Sequence, residues 1–224
     1  VSWVLDNLDL IWALSIDHLR QSLIAIVLGF LIAIPIGWAA FRYTGLRGPT
    51  LATVGLLYTI PSLGLFAVLA AAFGIPLLSE TNLVVALTIY AVAIMTRSVT
   101  DGLASVDPVT RSAAVAVGFG SWRRFWAVDF PLAGPVLLAG LRVTASSTIS
   151  LATVGILIGV QNLGYLFTNG FQRRIIPEVL AGVVAVVVIA VLIDLLLVVA
   201  GRVLMPWNRR RPSRRERALR AVTV

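Results

Sequence analysis

Asp194 is the residue of this sequence whose placement most invites chemistry, an acid set inside the apolar stretch 179–204. A carboxylate facing hydrocarbon is costly unless it is paired or near the interface, and an acid so placed could also relay a proton. Arg142 and Arg202 fall toward the same end of their own stretches. Long arginine side chains can reach such a partner, so a structural ion pair is the favoured reading. Hydroxyls form a second group: Thr144, Ser146, Ser147, Thr148, Ser150 and Thr153 crowd one apolar stretch, and Tyr58, Thr59, Pro61 and Ser62 interrupt another. Such side chains line a polar path or let helices pack closely, and both readings stand. The lone His18 is expected at the surface, at the outer edge of the first stretch. With no cysteine in the chain, disulfides, thiol catalysis and cysteine-based metal sites are excluded. No GxxxxGK[ST] phosphate loop is present, so no ATP chemistry is expected of this chain. No catalytic residue and no metal site emerges.

The elements that position these residues follow from composition. The chain is 59% hydrophobic, with mean hydropathy +0.97 and 12% charged residues, too few charges to clothe a water-soluble core. Stretches of about 20 apolar residues are what the hydrocarbon core demands, and five are found, at about 22–41, 50–73, 83–99, 134–159 and 179–204. The fold class is therefore an all-α membrane protein of five spans. Every basic residue is arginine. With the N-terminus outside, fifteen of the eighteen arginines fall in the cytoplasm, leaving Arg20, Arg173 and Arg174 outside; the positive-inside rule favours that orientation. The net charge of +8 is concentrated in the tail, residues 205–224, which suits a cytoplasmic membrane face. Without a reading module it does not suit nucleic acid. Arginine without lysine, with abundant Ala, Val and Gly, suggests a GC-rich bacterial genome.

Residues 1–18 carry acids between apolar residues such as Trp3, Leu8, Ile11 and Trp12, a spacing that suits a short helix on the outer interface, a loosely ordered lead-in being the other reading. They lack the basic start and cleavage site of a secretory signal, so the first span is expected to remain in the mature protein. Residues 161–177 are a gating helix or a plain loop. The segment 100–133 is long for a connection and needs structure of its own. Asp107-Pro108 is a helix start, with a capping carboxylate and a proline tolerated at the first position. A helix over 108–117 is broken at Gly118 and Gly120, and a second over 122–129 stops near Pro131. The resulting knob exposes Ala113 and Ala114, with Arg111, Arg123, Arg124, Phe119, Trp122, Phe125 and Trp126 around them. Small residues admit close approach, and aromatics with arginine anchor interfaces; packing under the chain's own membrane domain is the other reading.

Arg111-Ser112-Ala113-Ala114, then Gly118, then Asp129-Phe130-Pro131 resembles the Glu-Ala-Ala coupling loop of ABC importer permeases. Tyr58-Thr59-Ile60-Pro61-Ser62-Leu63 is similar to a stretch of the glycine betaine, choline and carnitine permeases. So are Gly102-Leu103, Val106-Asp107-Pro108, Gly140-Leu141-Arg142 and Asn162-Leu163-Gly164. The resemblance runs from about residue 19 to 204. One departure stands out: the family's Glu is Ser112 here, which removes a carboxylate from the loop.

The resemblance implies the type I importer permease (MetI-like) fold, in the cell membrane of a bacterium. It implies a transport subunit without a bound cofactor, for an osmoprotectant such as glycine betaine, choline, carnitine or a proline-like solute. ATP and Mg would sit on a separate cytoplasmic ATPase dimer, whose groove takes the loop: Asp107, Arg111, Ser112, Ala113, Ala114, Gly118, Trp122 and Pro131. A second permease, identical or homologous, would complete the pathway, touched here by Tyr58, Thr59, Pro61, Ser62, Thr148 and Ser150. An extracytoplasmic binding protein would deliver the solute. The alternatives are a permease for methionine or another amino acid, an ion-coupled secondary transporter using Asp194, and a membrane scaffold.

Overall fold

A computed structural model describes residues 2–208, and among these every regular element is helical. The chain opens with α1 (Ser2–Asp6) and α2 (Leu8–Arg42). The helix expected to stand alone over 2–17 is divided differently: it breaks at Asn7, whose side-chain amide donates to the Trp3 carbonyl at 2.7 Å, and from Leu8 it runs on into the first span. No Pro or Gly intervenes between Leu8 and Gly29 to stop it. Its apolar face packs on protein, with Leu14 buried against Leu163 and Leu166.

The second stretch is not one straight span. It consists of α3 (Thr44–Thr59) and α4 (Ser62–Phe73), set at 107° to each other. Pro61 cannot supply the backbone N–H a helix needs, and its ring forces Ile60 into the extended conformation (φ −65°, ψ 126°). The carbonyl of Ile60, freed by the break, accepts the Tyr90 hydroxyl at 2.5 Å. The polar group exposed by the bend is thus satisfied within the protein, as a membrane interior requires.

Tyr90 belongs to α5 (Glu80–Ala104), whose N-terminus is capped by Ser79 accepting from the Asn82 N–H at 3.2 Å. This helix forms the centre of the molecule. Leu83, Leu87 and Tyr90 join Leu65, Phe66 and Leu69 of α4 in one apolar core. Met95, Val99 and Leu103 join Phe125 and Leu137 in another. Glycines let its neighbours close in, as is usual where apolar surface alone gives no drive to associate: a Cβ on Gly29 of α2 would lie 2.4 Å from that of Ala91.

After α5 come α6 (Pro108–Ala116) and α7 (Ser121–Arg124), then a π-helical turn (Phe125–Asp129) leading without interruption into α8 (Phe130–Ala152). The expected stop near Pro131 does not occur. The wider turn, in which the Phe130 N–H reaches back to the Phe125 carbonyl, shifts the hydrogen-bond ladder just before Pro131 and so carries the helix past a residue that supplies no N–H. Past Ala152 the helix tightens to 3₁₀ over Thr153–Ile158 and ends at Gly159, φ 76°. Residues 164–172 form a helix, α9 (Gly164–Gln172), and α10 (Ile176–Leu204) follows. Thus α2, α5, Ser121–Ile158 and α10 are long and apolar enough to cross a membrane, and the bent α3–α4 pair makes a fifth crossing if it acts as one span. Most of the tail, including its seven arginines, lies outside the described residues.

Candidate coupling knob and solute pathway

The knob is built around a buried acid. Asp129, 4% exposed, accepts from Arg111 Nε at 2.8 Å on one oxygen and from Arg124 Nε at 3.2 Å on the other. Arg111 also donates to the Leu103 carbonyl at 2.8 Å, and its guanidinium stacks over Phe41 at 4.8 Å. One carboxylate thereby ties α6, α7 and the π turn together, and Arg111 adds the ends of α5 and α2. Asp107 caps α6, its carboxylate accepting the Val109 N–H at 2.8 Å. Gly118 terminates the motif at φ +87°, with nothing near enough to obstruct a side chain; its glycine is set by backbone conformation alone.

Two expectations for the knob change. Ala114 is buried, on the inner face of α6, and its carbonyl accepts the Phe119 N–H at 3.0 Å. Arg111 is engaged within the knob, because the buried Asp129 needs its charge. What the knob presents outward is Ser112, Ala113, Val109, Val117 and Trp122, the last three more than two-thirds exposed. Trp122 stands edge-to-face with Trp126, ring centroids 5.8 Å apart. Pro131 is partly buried at the knob's base.

A cavity of about 620 Å³ with several hydroxyls in its wall lies against α8, lined among others by Tyr58, Tyr90, Ser146, Ser147, Thr148 and Ser150. Among the described residues, no charged side chain lines it. Tyr58, Thr148 and Ser150 come together here, whereas Thr59, Pro61 and Ser62 do not reach it: the hydroxyl of Thr59 turns back onto the Leu56 carbonyl at 2.7 Å, and Pro61 and Ser62 belong to the bend. Tyr90 is a cavity residue that its apolar surroundings in the sequence conceal; its signal was an isolated tyrosine in a buried helix. Thr148 lines the cavity while 2% exposed, and its hydroxyl has no hydrogen-bond partner among the described residues.

The family described as the binding-protein-dependent transport system inner membrane component matches residues 25–210. The chain belongs to that family. Among curated relatives of this inner membrane component, it is 30% identical to the osmoprotectant import permease OsmW of Salmonella typhimurium over 88% of the chain and 93% of the relative. It is 34% identical to the glycine betaine/carnitine/choline transport system permease OpuCB of Bacillus subtilis, covering 85% of the chain and 86% of the relative. An inward-facing structure of the MetNI methionine ABC transporter shares the fold, with TM-score 0.76 and 19% identity over 84% of this chain and 93% of that one.

Two further polar clusters stabilise the permease frame. Arg142 of α8 and Asp194 of α10 form a bidentate pair, at 2.6 and 2.8 Å, and Arg142 and Arg202 border the same cleft between those helices. The other cluster surrounds Asn162, wholly buried after the 3₁₀ turn. Its amide donates to Gln21 Oε1 at 3.0 Å and to the Ala152 carbonyl at 2.9 Å, while its own oxygen accepts the Gly164 N–H at 2.8 Å. This explains the Asn-Leu-Gly run: Leu163 fills core, and Gly164 passes so close to Thr153 that a Cβ would fall 2.0 Å from its carbonyl oxygen. His18 is not at the surface. It is fully buried, its Nε2 3.0 Å from the Ile149 carbonyl, because the helix continues past it and α8 covers it.

Proposed function

We propose that this chain is the membrane-spanning permease subunit of an ATP-driven importer for osmoprotectants, solutes such as glycine betaine, choline, carnitine or proline-like molecules. The observation that carries the solute class is the likeness, at 30 to 34% identity over more than four-fifths of the chain, to permeases named for these solutes. The uncharged, hydroxyl-rich cavity supports the reading, since it suits small zwitterionic or cationic solutes released onward rather than held.

In this reading the knob docks on a cytoplasmic ATPase dimer that holds ATP and Mg. Ser112, Ala113, Trp122 and the exposed valines form the contact, and Asp107, Arg111, Ala114, Gly118 and Pro131 hold its shape. The Asp129 cluster makes the knob stiff enough to pass the dimer's closure into α8, and so to the cavity wall. A second permease, identical or homologous, closes the other side of the pathway, and an outer binding protein loads it. The N-terminus faces outward and the C-terminus lies in the cytoplasm. Asp194, occupied by Arg142 outside the cavity, takes no part in ion coupling.

A bacterium stripped of its own osmoprotectant uptake tests the proposal. Expressed with its cognate ATPase and binding protein, the chain restores growth at high salt when glycine betaine, choline or carnitine is supplied. Restored growth that requires none of these solutes, or no rescue by any of them, contradicts the solute class.

A further inference from the structure

Within the cavity beside α8, two aromatic rings meet a wall of hydroxyls with no charge among the lining residues. Tyr58 and Tyr90 stand edge-to-face, ring centroids 6.0 Å apart and planes at 88°. Tyr90 is almost wholly buried and fixed by its hydrogen bond to the Ile60 carbonyl, whereas Tyr58 is half exposed. Tyr58, half exposed, presents ring surface to the cavity, while the buried Tyr90 packs against it and holds it in place. Ser146, Ser147 and Ser150 line the same cavity and supply hydroxyls, and Thr148 brings a buried hydroxyl with no partner among the described residues.

This pairing discriminates by chemistry. A primary ammonium is best held by a carboxylate, and among the described residues no acid lines this cavity. A quaternary ammonium has no N–H to satisfy and is held by the negative face of an aromatic ring. Its carboxylate or hydroxyl end would find donors in the serine wall. We propose that Tyr58, backed by Tyr90, forms a low-affinity quaternary-ammonium site within the permease itself, separate from any recognition by a binding protein. The proposal rests on the osmoprotectant reading and deepens it.

Radiolabelled choline binding to the permease–ATPase complex in nanodiscs, without the binding protein, is the test. Tyr58→Leu weakens binding about three- to tenfold, whereas Tyr58→Phe, which keeps the ring, stays within about twofold of the wild type. On the wild-type complex, 3,3-dimethylbutan-1-ol, the uncharged carbon isostere of choline, competes at least about tenfold more weakly than unlabelled choline. No measurable choline binding, equal competition by the isostere, or equal losses in the Phe and Leu variants overturns the site. If these results accompany ATP-driven choline uptake by the complete importer, only the tyrosine site falls. If no quaternary-ammonium solute is taken up at all, the osmoprotectant reading falls with it.

Discussion

Asp129 holds more of the knob than its place in a π turn suggests, because it is the single buried acid between Arg111 and Arg124. Removing one member of a buried ion cluster leaves charge unpaired, at about 3–5 kcal/mol. Asp129→Ala is therefore expected to loosen the knob, seen as protease sensitivity across 105–130 and loss of solute-dependent ATPase stimulation, while α5 and α10 stay folded. Asn162→Ala strands the Gly164 N–H and the Gln21 amide oxygen, each costing about 1–3 kcal/mol; the thermal unfolding midpoint should drop by several degrees. Neither role was legible in the sequence, where Asp129 and Asn162 stood out only as members of short runs. A buried polar residue announces itself through its partners, and Gln21, 141 residues from Asn162 in sequence, meets it only when the helices pack. The Arg142–Asp194 pair was legible, since an acid inside an apolar stretch narrows its partners to the few arginines at the same depth.

At the scale of elements, Gly118 and Pro61 do the shaping. A β-branched residue at φ +87° pays about 1–2 kcal/mol for the left-handed backbone, so Gly118→Val is expected to misorient α6. The predicted outcome is ATP hydrolysis that persists while uptake per ATP collapses, measured in the same reconstituted vesicles; normal coupling would mean that the knob is not the docking element. Both helices of the knob were legible from Asp107-Pro108 and the two glycines. The inward turn of Ala114 was not, because nothing along a nine-residue helix says which face its neighbours will cover. Proline positions were legible but not their consequences: Pro61 bends the chain by 107°, while Pro131 is absorbed into the start of α8. The difference lies in the backbone before each proline, extended at Ile60 and helical at Phe130.

For the whole molecule, hydrophobic composition was enough to give a helical membrane frame, and the arginine distribution gave a candidate orientation. The depth to which α2 and α5 interlock depended on glycines that look unremarkable in a membrane sequence. If ATP hydrolysis drives transport, Asp194→Asn leaves a substantial part of uptake intact, because its carboxylate is bound to Arg142 away from the cavity; abolished uptake would revive an ion-coupled mechanism. The most direct test is uptake of radiolabelled glycine betaine and choline into vesicles holding the permease with its ATPase and binding protein. The account predicts accumulation that requires ATP on the ATPase side and continues when the proton and sodium gradients are collapsed. Accumulation that follows those gradients and ignores ATP would contradict it.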